Sequence, residues 1–234
     1  MPNSKVIAKF KQPDPIMVAV DAIVFTIMHD ELKILLIKRK YEPFKDHYAI
    51  PGGFVEKDEE LKDAVKRELV EETGVNDVFL KQFGTYGSVK RDPRGRVISI
   101  SYLALISPSQ KLKASTDATD AKWFSVYHLP KLGFDHKKII SDALRQLRYE
   151  IQTTNIAFQI LPKKFTLTQL QRLYELVLDK ELDKRNFRKR IKELDILNET
   201  SDMWRDGAHR PAKLHVFKNA KYENIGKKIN VFLK

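Results

Sequence analysis

Through the first two thirds of the chain, apolar residues gather in short blocks rich in Val, Ile, Phe and Tyr, most of them bounded by turn formers. That pattern predicts strands at Met17–Ile27, Lys33–Lys38, His47–Ile50, Asp77–Tyr86, Arg96–Ile106 and Ala121–Ser125. Two stretches follow a helical period instead. In Glu59–Thr73 the residues Leu61, Val65 and Leu69 recur every four positions, and in His136–Ile151 an apolar face is made by Ile139, Ile140, Ala143, Leu144 and Leu147. After Pro162 the texture changes. Leu167–Leu178 and Lys184–Leu194 read as two further helices joined by DKELD, followed by strand-like Pro211–Phe217 and Ile229–Leu233. The change of texture places a domain boundary near residue 155, in TTNIAF, with a larger domain over 1–155 and a smaller one over 156–234. No internal repeat or low-complexity tract is present.

Charge sharpens this division. The chain has 43 Lys and Arg against 31 Asp and Glu, a formal net charge of +12. From Phe158 to the last residue the count is 18 basic against 10 acidic, so a third of the chain carries most of the excess. An anionic partner is expected for that part. There is no cysteine, which excludes disulfides and thiolate metal sites and fits a reducing compartment. The start, MPNSKVIAKFKQPDP, lacks the apolar core of a signal peptide. The apolar run IMVAVDAIVFTIM is too short to span a bilayer and carries Asp21. A soluble, cytoplasmic protein without a membrane partner is expected. The six histidines show no metal-ligand spacing.

The acidic residues of the first domain are concentrated around the helix predicted after Gly52. Asp58 is a candidate N-cap, Glu59 and Glu60 suit the positive end of the helix dipole, and Gly74 suits a left-handed C-terminal cap. Glu68, Glu71 and Glu72 stand at i, i+3 and i+4, on one stripe away from the apolar face. Three neighbouring carboxylates repel each other. A solvated acidic face is the plain reading, but a hard divalent cation with oxygen ligands would turn the repulsion into attraction. Gly52 and Gly53 leave the backbone open to close approach by a metal or phosphate, and Arg67 can hold a carboxylate by paired hydrogen bonds.

The spacing runs Gly53, five residues, Glu59, seven residues, then Arg67-Glu68-Leu69-Val70-Glu71-Glu72-Thr73-Gly74-Val75. This segment resembles the Nudix box, G-x(5)-E-x(7)-R-E-U-x-E-E-x-G-U with U a bulky aliphatic residue, at every fixed position. The resemblance implies an α/β fold, an α/β/α sandwich around a mixed sheet, and Mg²⁺- or Mn²⁺-dependent hydrolysis of a nucleoside diphosphate linked to another group. It also implies roles. Glu68, Glu71 and Glu72 would be metal ligands with the Gly53 carbonyl, while Arg67 and Glu59 orient the set and Glu56 assists. Pyrophosphate hydrolysis needs an activated water and a base within reach of it. Glu68 is the first choice for that base; Asp117 and Asp120, in the loop before WFSV, are alternatives.

KRKYEPFKDHYAIPGG and YGSVKRDPRGRVISISYLAL resemble the ADP-ribose pyrophosphatase-like branch of the family, over most of residues 10–155. Arg39, Arg91, Arg94 and Arg96 are candidates for gripping phosphates, although RDPRGR is equally readable as a basic hairpin turn. Tyr86 and Trp123 are candidates for stacking on a base, with core packing the better account of Trp123.

Two helices joined by a tight turn and followed by strands is the order of a winged helix-turn-helix. In DKRNFRKRIKEL, Phe187, Ile191 and Leu194 share one face, and Lys184, Arg185, Arg188, Lys189 and Lys192 cover much of the rest. Such a helix can lie against phosphates and reach a major groove. GAHRPAKLHVF is the candidate wing, with Arg210 and Lys213 near its tip. A solvated helix in a packing domain is the alternative. The two-part layout resembles the NrtR group of Nudix-related transcriptional regulators, which implies a homodimer, double-stranded DNA as partner and a nucleotide-sugar effector. Two readings follow. The leading one is a hydrolase of ADP-ribose, yielding AMP and ribose 5-phosphate. The alternative is a DNA-binding regulator whose first domain senses ADP-ribose or a related nucleotide sugar.

Overall fold

A computed structural model of the chain describes residues 15–76, 78–107, 121–205, 211–219 and 221–225. Strand β1 (Met17–Met28) turns through His29 and Asp30, both with positive φ, into β2 (Glu31–Lys38). Two short strands follow, β3 (Tyr48–Ala49) and β4 (Gly52–Phe54), then helix α1 (Leu61–Thr73). Next come β5 (Phe79–Tyr86), β6 (Val97–Leu105), β7 (Ala121–Ser125) and helix α2 (His136–Thr153). A short 3-10 turn at Ile156–Gln159 leads to α3 (Leu167–Leu178), α4 (Lys184–Leu194) and a hairpin of β8 (Leu197–Trp204) with β9 (Ala212–Phe217).

Seven strands form one sheet with the path β3-β2-β1-β6-β5, while β4 pairs with β1 and β7 with β2. The β1–β6 pair is parallel and the other pairs are antiparallel, so the sheet is mixed. Period-two alternation decides its two faces. Val20, Ala22 and Val24 of β1, with Ile100, Tyr102 and Ala104 of β6, pack on Ala64, Val65 and Leu69 of α1. Ile23 and Phe25, with Leu103 and Leu105, face the other way onto Ile139, Ile140, Ala143, Leu147 and Ile151 of α2. This is the α/β/α sandwich that the resemblance implies.

The second core does not stop at the edge of the sandwich. It continues through Ile156, Ile160 and Phe165 to Leu170, Leu173, Tyr174 and Val177 of α3, and to Phe187, Ile191 and Leu194 of α4. Polar bonds reinforce the join. Arg148 of α2 donates to the Val177 carbonyl at the end of α3 (3.0 Å), and the guanidinium of Arg172 on α3 pairs with Asp30 in the β1–β2 turn. Buried Glu150 accepts from Lys81 of β5 and from the Tyr222 hydroxyl.

Several sequence expectations need correction. Asp58 is not the N-cap of α1; that position is Glu60, in an extended conformation without a side-chain cap bond. His47–Ile50 shortens to two residues. β4 lies where no strand is expected, since Gly52 and Gly53 have no strand propensity and pair only because β1 is beside them. The wing hairpin begins with β8, LNETSDMW, whose exposed polar residues show no alternating pattern. Ile229–Leu233 lies outside the described residues, as do Asp117, Asp120 and Arg210.

Candidate functional site

Helix α1 presents its carboxylates beside the β4 backbone. Gly74 ends the helix at φ 69°, a left-handed conformation that suits glycine, and its N–H donates to the Val70 carbonyl. Glu59 ties the entry loop to the helix. It takes paired hydrogen bonds from Arg67 (Nε to Oε1 2.9 Å, Nη2 to Oε2 3.0 Å) and accepts from the Glu56 backbone N–H (3.2 Å). Those bonds hold the Glu59 carboxyl below its ordinary pKa. Arg67 also donates to Glu68 Oε1 (2.7 Å), Glu71 Oε2 (3.4 Å) and the Phe54 carbonyl (3.1 Å).

The three helix glutamates are not equivalent. Glu68 is largely covered and lies against Gly53, where any Cβ would overlap its carboxylate. Glu72 turns inward and accepts from the Gly52 N–H (2.8 Å). Burial pushes its carboxyl up to about 8, with the Gly52 bond opposing and the charges of Glu68 and Asp21 adding to the rise. The Glu71 side chain is 58 % exposed and reaches out toward Arg67. Glu56 is still more exposed, 3.9 Å from Arg67 Nε.

Glu72 forms part of the wall of a cleft of about 120 Å³, together with Asp21, Arg39, Arg94, Phe134 and His136. Whole-ligand pockets usually measure roughly 300–1,000 Å³, so this cleft suits one part of an extended ligand. In the sequence Asp21 is only the polar residue of an apolar run. In the fold it is buried in β1, accepts from the Ser99 hydroxyl, and is raised by burial to about 6. His136 accepts the Ile50 N–H at Nδ1 (3.0 Å) and turns Nε2 toward Asp21 (3.9 Å). Burial lowers its pKa to about 3, so the ring is neutral. A lone acid inside an apolar strand is the available signal for Asp21; nothing local marks His136 or Phe134.

The four candidate arginines separate. Arg39 and Arg94 line the cleft. Arg91 also lines it but is buried, with a two-pronged bond to Asp135 (3.1 and 2.8 Å). Arg96 donates to the Gly87 carbonyl and stands outside the cleft. Tyr86 donates to Asp142 (3.1 Å), and Trp123 packs at the margin of the α1-side core.

Among the described residues, no three His, Asp or Glu side chains are gathered as a ready metal cluster. The donor chemistry nonetheless fits a hard divalent cation. Glu68 lies against Gly53 and Glu72 accepts from the neighbouring Gly52 N–H, and the charge of Glu68 helps hold the Glu72 proton.

In the second domain, α3 begins with a capping box. Gln169 N–H donates to Thr166 Oγ1 (3.1 Å) and Thr166 N–H to Gln169 Oε1 (2.8 Å). Helix α4 is capped by Asp183, which accepts from Asn186 N–H (2.8 Å). Phe187 packs edge-on against Tyr174 at 5.4 Å and fixes which face of α4 is buried. Lys184, Arg185, Arg188, Lys189 and Lys192 are all exposed on the other faces. Lys213 on β9 pairs with Glu199 across the hairpin (2.6 Å).

A mixed-sheet sandwich with a carboxylate-bearing helix beside a glycine pair defines a Nudix domain, and the NUDIX domain family matches residues 17–151. The chain belongs to the Nudix family. A second family, the NrtR DNA-binding winged helix domain, matches residues 157–217. The chain is 35 % identical over 92 % of its length to the ADPR responsive transcriptional repressor NtrR of Acinetobacter baylyi, covering 87 % of that protein. It is 49 % identical over 55 % of its length to an ADP-ribose pyrophosphatase of Methanocaldococcus jannaschii, covering 73 % of it. The crystal structure of Shewanella oneidensis NrtR complexed with a 27mer DNA superposes with a TM-score of 0.74 at 34 % identity, over 86 % of this chain and 93 % of that one. No helix among the described residues is long and apolar enough to cross a membrane.

Proposed function

We propose that this protein is a DNA-binding transcriptional regulator whose Nudix domain, residues 1–155, binds ADP-ribose or a close ADP-sugar, and whose winged helix, residues 156–234, binds double-stranded DNA as part of a homodimer. The observation that carries this reading is the unbroken apolar core from the nucleotide-domain sheet through α2 to Phe187 and Ile191 of α4. A change of packing under the cleft therefore has a continuous path to the basic helix. The full-length likeness to an ADPR responsive repressor supports it, and for that reason it stands ahead of the hydrolase reading that the sequence favours.

In this reading Arg39 and Arg94 bind the diphosphate, and the α4 cations with Arg210 and Lys213 neutralise DNA phosphates. Arg91, paired to Asp135, shapes the cleft floor.

Hydrolysis of ADP-ribose to AMP and ribose 5-phosphate stands as the second reading, favoured by the complete box. Gly53, Glu68, Glu71 and Glu72 would hold Mg²⁺ or Mn²⁺, which supplies charge neutralisation and an acidified water. Arg67 and Glu59 would orient Glu68, which as the base, instead of as a ligand, would accept the proton of the attacking water.

One experiment separates the readings. Retention of DNA from upstream of the protein's own gene is measured across a salt series, with and without ADP-ribose, and products are assayed in parallel with Mg²⁺. Sequence-specific retention released by ADP-ribose is the expected outcome. Turnover without specific retention would reverse the order of the two readings, and retention without sequence preference would report only a basic surface.

A further inference from the structure

Phe134 contacts two arginines. Its ring centroid is 4.8 Å from Cζ of Arg39 and 5.5 Å from Cζ of Arg94. Arg94 in turn lies over the Phe54 ring at 5.0 Å. The stack draws on four separate segments: the loop after β2, the end of β4, the turn before β6 and the approach to α2. It faces the same cleft as Gly52, Gly53 and Glu72.

Each member is held in place. Phe134 has φ 52°, a left-handed conformation rare for a bulky residue, so tertiary packing and not local preference sets its position. Phe44 packs edge-on against it at 4.8 Å. Arg39 donates to the carbonyls of Pro43 (2.8 Å) and Tyr41 (3.3 Å), which orient the guanidinium without cancelling its charge. Asp92 orients Arg94 (Nη2 to Oδ2 2.7 Å). Burial, and then the charge of Arg94, both lower the proton affinity of Arg39. Two like charges are thus kept close, at a cost.

The group that the two arginines share is an aromatic ring. A carboxylate there would neutralise both arginines. A phenyl ring attracts each guanidinium through its quadrupole without neutralising it, which leaves Arg39 its full charge and Arg94 the charge that its pairing with Asp92 does not offset.

We propose that Phe134 is a positioning residue that sets Arg39 and Arg94 at the spacing needed to grip the two phosphates of a nucleoside diphosphate joined to a second group. The proposal rests on the nucleotide-sugar reading of the cleft and adds the residue that gives it preference for a diphosphate over a monophosphate.

The test uses the full chain and calorimetry with ADP-ribose and with AMP. Phe134→Leu and Phe134→Met keep bulk without the ring face, and Phe134→Tyr keeps the ring. The Leu and Met substitutions should each weaken ADP-ribose binding about tenfold and leave AMP binding within about twofold. The Phe134→Tyr variant should bind ADP-ribose within about twofold of the unaltered protein. Combined with Arg39→Gln and Arg94→Gln together, Phe134→Leu should add less than about a threefold further loss, because the ring acts through those two arginines. ADP-ribose binding by the Leu and Met variants equal to that of the unaltered protein, an equal loss with the Tyr substitution, or losses that multiply in the variant lacking both arginines would overturn the role of Phe134. Absence of ADP-ribose binding by the unaltered protein would instead remove the reading of the cleft, and the proposal with it.

Discussion

Glu72→Gln separates the cost of the buried carboxylate from its use. Gln keeps the acceptor for the Gly52 N–H and nearly the same shape, but it cannot ionise. The carboxyl of Glu72 sits at about 8 against an ordinary value of 4.5, raised chiefly by burial. A raised folded-state value means that the stabilising contribution is fully present below about 4.5 and is lost as pH rises through about 8. At roughly 1.4 kcal/mol per pH unit, the upper bound on that loss is about 5 kcal/mol. The cleft admits water, which screens the charge, so about 2–4 kcal/mol is expected. For a chain of this size that corresponds to about 5–15 °C in Tm. Asp21, raised to about 6, titrates in both proteins, and because its charge adds to the rise at Glu72 the difference between them reports the pair. The assay is thermal unfolding by circular dichroism in chelator at pH 5, 7 and 9. The unaltered protein should lose stability relative to Glu72→Gln as pH rises, and Mg²⁺ or Mn²⁺ at pH 9 should restore only the unaltered protein. Parallel pH profiles in chelator would refute the burial argument. Equal rescue of both proteins by metal would refute a role for Glu72 as ligand.

Other outcomes test separate parts. Glu68→Gln should cut any ADP-ribose turnover by about 10²–10⁴-fold with the circular dichroism spectrum unchanged, if Glu68 is the base. Phe187→Ala should cost about 3–5 kcal/mol in a denaturant titration and abolish DNA retention, since its ring is buried against Tyr174. Arg188→Gln leaves the fold intact and should lower the slope of log affinity against log salt by about 1, read from retention assays; an unchanged slope would exclude a phosphate contact there.

Much of the local architecture is legible in the sequence because its causes are local. Helices α3 and α4 fall at the predicted residues, since capping residues and an apolar period are properties of a dozen neighbouring positions. The apolar run of β1 and the Glu68, Glu71, Glu72 stripe are readable for the same reason. So is Gly74 as a cap, which depends on one backbone conformation.

What stays hidden depends on partners far along the chain. The outward turn of Glu71 and the inward turn of Glu72 are decided by where β4 runs, which no helical spacing contains. Arg91 and Arg39 look alike as basic residues near turns, yet one is buried against Asp135 and the other lies open to the cleft. β8 is a strand because β9 pairs with it, not because of its own residues. Local residue order was enough to specify most of the elements, the acidic helix and the basic one. Which charges share a cleft, and that one apolar core joins that cleft to α4, emerged only on folding, because burial and electrostatic neighbours are set by distance in space and not by distance along the chain.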